Sequence, residues 1–356
     1  MKKLIFIGLL SFFMLALVGC NSKPKLYVLN WGDYIDLDLI ELFEDEYNVK
    51  VVYREVGSNE EMATLLQAGS SAYDIAVPSD YMIDKLKTLS LIQPIDFTKL
   101  SNDDNMTVIP ELYELYESTG IEDYIIPYAW GTIGILYNTN KPALKTLIEA
   151  EGWAALFEYG DTYKVGMYDS PRDAVAAALL YLGYHVNSEN ATELLEAENA
   201  LKDANFTAWG EDNLKGLVIQ GTLDMALVYS GDYFSEYYLA IEDEVDVNFD
   251  YYVPQTTNIW VDAMVIPTIA QNVELAHQFI DFFLDYEIAL QNSDYIGYAP
   301  TFIEIYDTMV TDPDYGYDFE TFDPFPDGTY RQMYQYGTDS RSESLVSIIA
   351  RAKAAN

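Results

Sequence analysis

The sequence predicts an α/β protein of two domains, each a mainly parallel sheet flanked by helices. Three observations lead there. Short β-branched runs alternate with amphipathic helical runs between residues 25 and 77. The alternation returns between residues 164 and 284. The chain has 356 residues, half of them apolar, which is enough for two cores and too apolar for a disordered chain.

The elements follow in order. Lys2 and Lys3 precede an apolar run from Leu4 to Val18, the pattern of a secretory signal, here residues 1–19. That run falls short of the roughly 20 apolar residues of a membrane-spanning helix. It ends in Leu17-Val18-Gly19-Cys20, which resembles the lipobox of bacterial lipoproteins and implies lipidation of Cys20, with residues 20–25 as a tether. Lys25–Asn30 reads as a strand, and Leu37–Tyr47 as a helix with Asp36 as its cap. Val49–Tyr53 is β-branched and reads as a second strand. Ser58-Asn59-Glu60-Glu61 has capping-box spacing ahead of a helix that Gly69 ends. Tyr73–Val77 reads as a third strand. Later come strands at Lys164–Tyr168 and Asp224–Tyr229, a helix at Ala174–Leu182, a short strand at Ala263–Ile266 and a helix from Val273 to Leu284. Residues 312–327, rich in Asp, Pro, Gly and aromatics, read as a surface loop.

Composition narrows the function. Cys20 is the single cysteine, so the fold depends on its core and not on disulfides. The formal net charge is −39, which speaks against nucleic acid, since phosphate contacts need a basic face. Such a field concentrates cations. The 31 tyrosines suit cores and binding clefts alike.

In open α/β sheets, ligands bind beyond the carboxyl ends of the strands. The residues there repeat two chemistries. Trp31, Asp33 and Tyr34 follow the first strand, and Ser79, Asp80 and Tyr81 the third. Asp169, Ser170 and Asp173 follow the strand ending at Tyr168. Tyr229 leads into Ser230, Gly231 and Asp232, and Trp260 and Asp262 sit before another strand. An aromatic face attracts an alkylammonium by about 0.5–2 kcal/mol, and a carboxylate adds a charge-assisted hydrogen bond. Taken singly, Asp80 and Asp173 also fit helix capping. The two histidines, His185 and His277, fit structural or surface roles. No close-spaced His/Cys metal motif, phosphate loop or serine elbow is present.

Together these residues carry a family resemblance. Asn30–Tyr34 (NWGDY), Ser58–Glu60, Tyr73–Ser79 (YDIAVPS), Ile126–Gly131 (IPYAWG), Trp260–Asp262 and Ile296–Pro300 (IGYAP) resemble the spermidine/putrescine-binding proteins of bacterial ABC importers, over essentially the whole mature chain. The resemblance implies a two-lobed, type II periplasmic-binding-protein-like fold with the ligand in the interlobe cleft. It implies an N-terminal lobe of 26–130 plus 261–307 and a C-terminal lobe of 131–260 plus 308–356. Trp31, Tyr34, Ser79, Tyr81, Asp173, Trp260, Asp262 and Tyr298 match the family's pocket, and Gln335 a polar contact near the C-terminus. Ser170 stands where spermidine-preferring members carry a second acid. Tyr229 replaces a tryptophan, and Asp232 matches an acid of putrescine-preferring members. The implied partners are a polyamine, a permease and ATPase, and the membrane through Cys20; the implied state is a monomer without metal, cofactor or catalysis. Rival readings are a receptor for another amine or an oligosaccharide, a polyamine sensor, and a secreted glycosidase using two carboxylates.

Overall fold

The structure, a computed structural model, describes residues 23–69, 72–102, 106–313, 315 and 330–355. The signal segment, Cys20 and most of the expected 312–327 loop lie outside the described residues. Among the described residues no helix is long and apolar enough to cross a membrane.

The first strands and helices form where local signals are strong. Strand β1 is Lys25–Asn30 and β2 is Lys50–Glu55. Between them Leu37–Glu46 is helical, and the Asp36 carboxylate accepts from the Asp38 N–H. Helix Asn59–Ala68 starts on Ser58, whose hydroxyl accepts from the Glu61 N–H. The return bond of the box lands one residue early, on the Gly57 N–H. Gly69 ends this helix at φ 59°, a left-handed conformation that glycine adopts without penalty.

Strand β3 (Ile75–Ala76) joins β1 and β2 in a parallel sheet of order β2-β1-β3. Short β4 (Ile92–Gln93) follows. Strands β5 (Ile126–Gly131) and β6 (Ile133–Asn138) are separated by Thr132 alone. The second sheet runs β10-β6-β9-β7-β8, with β7 Val165–Tyr168, β8 Ala208–Gly210, β9 Met225–Tyr229 and β10 Phe249–Tyr252. Its β9, β7 and β8 are parallel, whereas β10 and β6 run against their neighbours. The second sheet is therefore mixed instead of mainly parallel, whereas β2-β1-β3 is parallel as expected. The reason is topological: β6 enters directly from the other lobe, without the helical crossover that parallel neighbours require.

The strand expected at Ala263–Ile266 is the far end of something longer. Strand β11 spans Thr256–Met264 and is followed by β12 (Ile266–Pro267). Its polar start is buried because it is paired. The Thr257 hydroxyl donates to the Ile133 carbonyl at 2.9 Å, and the Asn258 side-chain oxygen accepts from the Ile133 N–H at 2.8 Å. Strand β11 lies antiparallel to β5 from Trp260 to Met264. On β5 also lies β13 (Ala299–Pro300), and on the start of β11 lies β14 (Tyr330–Met333). The chain thus passes from one sheet to the other at Thr132, and the start of β11 is bonded to Ile133 beside that passage.

Candidate functional site

Strand β11 builds the centre of the site where it passes between the lobes. Alternation puts Trp260 and Asp262 on one face. Both are buried, at 7% exposure. The indole packs over Gly131, where an added Cβ would stand 2.6 Å from a ring carbon. Tyr298, just before β13, meets Trp260 edge-on at 5.3 Å and Tyr34 at 5.5 Å. Tyr34 is fixed through its carbonyl, which accepts from the Tyr128 hydroxyl at 2.6 Å, itself held by Asn292 at 2.8 Å.

Asp262 is the electrostatic focus. Burial pushes its carboxyl up to about 6, against the opposing pull of the nearby Ser79 and Tyr34 hydroxyls. Its Oδ1 and the Tyr34 hydroxyl are buried and near each other, yet neither makes a hydrogen bond of good geometry among the described residues. Buried polar atoms in native proteins are nearly always paired. An orphan carboxylate oxygen inside an aromatic wall is suited to receive a donor, and a cationic one best.

The other wall comes from the second sheet. Helix Pro171–Tyr181 is capped by Ser170, whose hydroxyl accepts from the Asp173 N–H at 3.3 Å. Asp173 is both the first-turn acid of this helix and a buried member of the wall. Its two oxygens accept from the Tyr229 hydroxyl at 2.8 Å and the Tyr334 hydroxyl at 2.9 Å. Tyr229 stands 5.9 Å from Trp260 and 5.0 Å from Tyr168. A continuous aromatic run, Tyr34–Tyr298–Trp260–Tyr229–Tyr168, therefore connects Asp262 to Asp173. Asp232, in the first turn of helix Ser230–Glu242, is buried and paired with Lys215 at 2.9 Å. Burial raises its pKa, and Lys215 opposes the rise.

At the mouth, Ser79 accepts from the Asn59 amide at 2.9 Å and returns its backbone N–H to Asn59 Oδ1 at 3.0 Å. The Trp31 indole N–H donates to the Val77 carbonyl at 2.8 Å, which fixes its ring. Arg172 stacks on Tyr81 at 3.6 Å, and Lys85 sits over the Tyr336 ring at 4.4 Å; the two contacts tie Tyr81 and Lys85 to helix Pro171–Tyr181 and to the segment after β14. Asp33 and Gln335 stand apart. Asp33 is exposed at φ 50°, and Gln335 is exposed with its carbonyl accepting from Arg172. His277 is buried in structure, accepting from the Asp96 N–H, and His185 is exposed. Asp80 starts helix Asp80–Thr88 instead of capping it, and its buried carboxyl is raised well above its ordinary range by burial. Sequence reasoning missed Tyr334, Tyr168, Arg172 and Lys215. Only the adjacency of Arg172 to Asp173, and of Tyr168 to Asp169, offered a local signal.

Comparison with known proteins gives this geometry its kin. Residues 38–316 match the family described as bacterial extracellular solute-binding protein. The chain belongs to that family. Among solute-binding relatives it is similar to a putrescine-binding periplasmic protein of Pseudomonas aeruginosa (strain UCBPP-PA14), 33% identical over 287 residues and 78% of each chain. It is also similar to the spermidine/putrescine-binding periplasmic protein of Escherichia coli (strain K12), 31% identical over 301 residues and 83% of each chain. A solved structure of a putative spermidine/putrescine ABC transporter from Listeria monocytogenes superimposes with a TM-score of 0.78 at 32% identity, covering 93% of this chain and 99% of that one. The two-lobed, type II fold of this solute-binding protein is therefore established.

Proposed function

We propose that this chain captures a polyamine, putrescine or spermidine, between its lobes and hands it to the permease and ATPase of an ABC importer. The observation that carries the reading is Asp262, a buried carboxylate with an unpartnered oxygen, walled by Trp260, Tyr34 and Tyr298. An ammonium there satisfies the orphan oxygen, and its methylene stem follows the aromatic run toward Asp173. Names of the relatives that carry polyamine binding support the same reading.

The contacts we assign are Trp31, Tyr34, Ser79, Tyr81, Asp173, Tyr229, Trp260, Asp262 and Tyr298, with Asp232 behind the wall and Asp33 and Gln335 at the rim. The lobes comprise 26–130 with 261–307, and 131–260 with 308–356. Cys20 carries the lipid that holds a monomer at the outer face of the membrane, and the protein catalyses nothing. Calorimetric titration of the full chain in detergent tests the ligand. One-site binding of putrescine or spermidine, with no heat from a neutral sugar, is the expected result. A folded protein that binds neither amine refutes it.

A further inference from the structure

Lys215 has no part in the reading above, yet it touches the site. It lies on helix Asn213–Ile219, three-quarters buried, with its ammonium 2.9 Å from Asp232 Oδ1. Asp232 Oδ2 is buried and unpartnered among the described residues. Its neighbour Gly231 lies against the Tyr298 ring, where an added Cβ would stand 2.1 Å from ring carbons. Asp232 thus backs the same aromatic wall that Asp262 and Asp173 flank. Consistent with this, the Tyr298 hydroxyl is raised by burial and then by the fields of Asp232, Asp212 and Asp262.

Charge decides what such a site admits. Four buried carboxylates surround the run: Asp80, Asp173, Asp232 and Asp262. Among the described residues, two cations of the protein stand against them. Arg172, stacked on Tyr81, offsets Asp80, and Lys215 holds Asp232. Asp212, exposed and bonded to the Tyr168 hydroxyl at the end of the run, and the half-buried Glu236 also face Lys215. Burial lowers the Lys215 ammonium, and Asp232, Glu236 and Asp212 together more than restore it, so it stays charged. Of the four, Asp173 and Asp262 have no ion pair with a cation among the described residues. Burying a charge without a partner is strongly unfavourable.

We propose that Lys215 is a specificity-determining residue: a cation tethered within the protein that takes the place of a third ligand ammonium, so the site accepts a diamine and rejects a triamine. The inference rests on the amine-receptor reading above. A third ammonium near Asp232 would meet an ion pair already formed and be repelled by Lys215.

The test separates charge from length. N-butylputrescine carries a terminal methyl where spermidine carries its third amine, and the two chains are otherwise equally long. Titrating the full-length wild type with putrescine, spermidine and N-butylputrescine should show N-butylputrescine tighter than spermidine by about tenfold. Lys215→Met should reverse that order, and Lys215→Arg should keep it. The wild-type arm stands even where Lys215→Met does not fold. Equal affinities for the two long amines, tighter spermidine, or rejection of both while putrescine binds would overturn the role of Lys215 and leave the receptor reading intact. An unchanged order in folded Lys215→Met would do the same. A folded wild type that binds no amine would sink both.

Discussion

At the scale of single residues, Asp262 couples function to pH. Its folded pKa of about 6 lies above the ordinary 3.8, so folding disfavours the ionised form. The stability this lends the ligand-free protein is fully present below pH 3.8 and lost as pH rises through about 6. By pH 7.5 the loss is about 3 kcal/mol. Asp262→Asn removes that penalty. Its ligand-free melting temperature should exceed the wild type's at pH 7.5, with the gap closing toward pH 4, while its amine affinity falls. A variant less stable than wild type at pH 7.5 would contradict the burial argument. Binding carries the opposite sign, because the ammonium needs the ionised carboxylate. Affinity should drop about tenfold between pH 7 and pH 5, accompanied near pH 6 by proton release that calorimetry in two buffers of different ionisation enthalpy detects.

At the scale of elements, the site depends on how closely helix Ser230–Glu242 approaches the loop before β13. Gly231 makes the approach possible, because any Cβ would enter the Tyr298 ring. Gly231→Ala should push Tyr298 away from Trp260, cost about 1–3 kcal/mol of stability and weaken amine binding by more than tenfold. Near-UV circular dichroism and calorimetry check both, and unchanged binding would show that Tyr298 is not a wall. Elements with local causes were legible in the sequence. Helix Leu37–Glu46 had its cap and helix Asn59–Ala68 its Ser58 and Gly69, whereas the Trp260–Asp262 pair, expected just before a strand, lies inside β11. Strand β11 was not legible, since Thr257 and Asn258 look unsuited to a buried strand until Ile133, about 125 residues away, supplies their partners. The Lys215–Asp232 pair spans 17 residues and two helices, and Tyr334 reaches Asp173 across 161 residues. No periodicity encodes such meetings; they are products of the fold.

At the scale of the whole molecule, a net charge of −39 surrounds a cleft whose ligand is proposed to be cationic. Association should therefore slow at least tenfold between about 20 mM and 500 mM salt, while dissociation, governed by buried contacts, changes little. Stopped-flow fluorescence measures both, and a salt-independent association rate would remove the field from the mechanism. The junction between the lobes has a mechanical meaning. Thr132 alone separates β5 from β6, and β11 crosses beside them unbroken. The Ser230 N–H on the Thr132 carbonyl, and Asn258 and Thr257 on Ile133, tie the crossing strands to their surroundings. A joint made of pleated, cross-tied chain flexes like a leaf spring instead of swinging like a door on pins. Such a joint has a rest angle and a stiffness, so a closing motion of the lobes would bend it and reopening would let it recoil. On the proposed function, closure around an amine would work against that elastic load, and the same load would favour reopening.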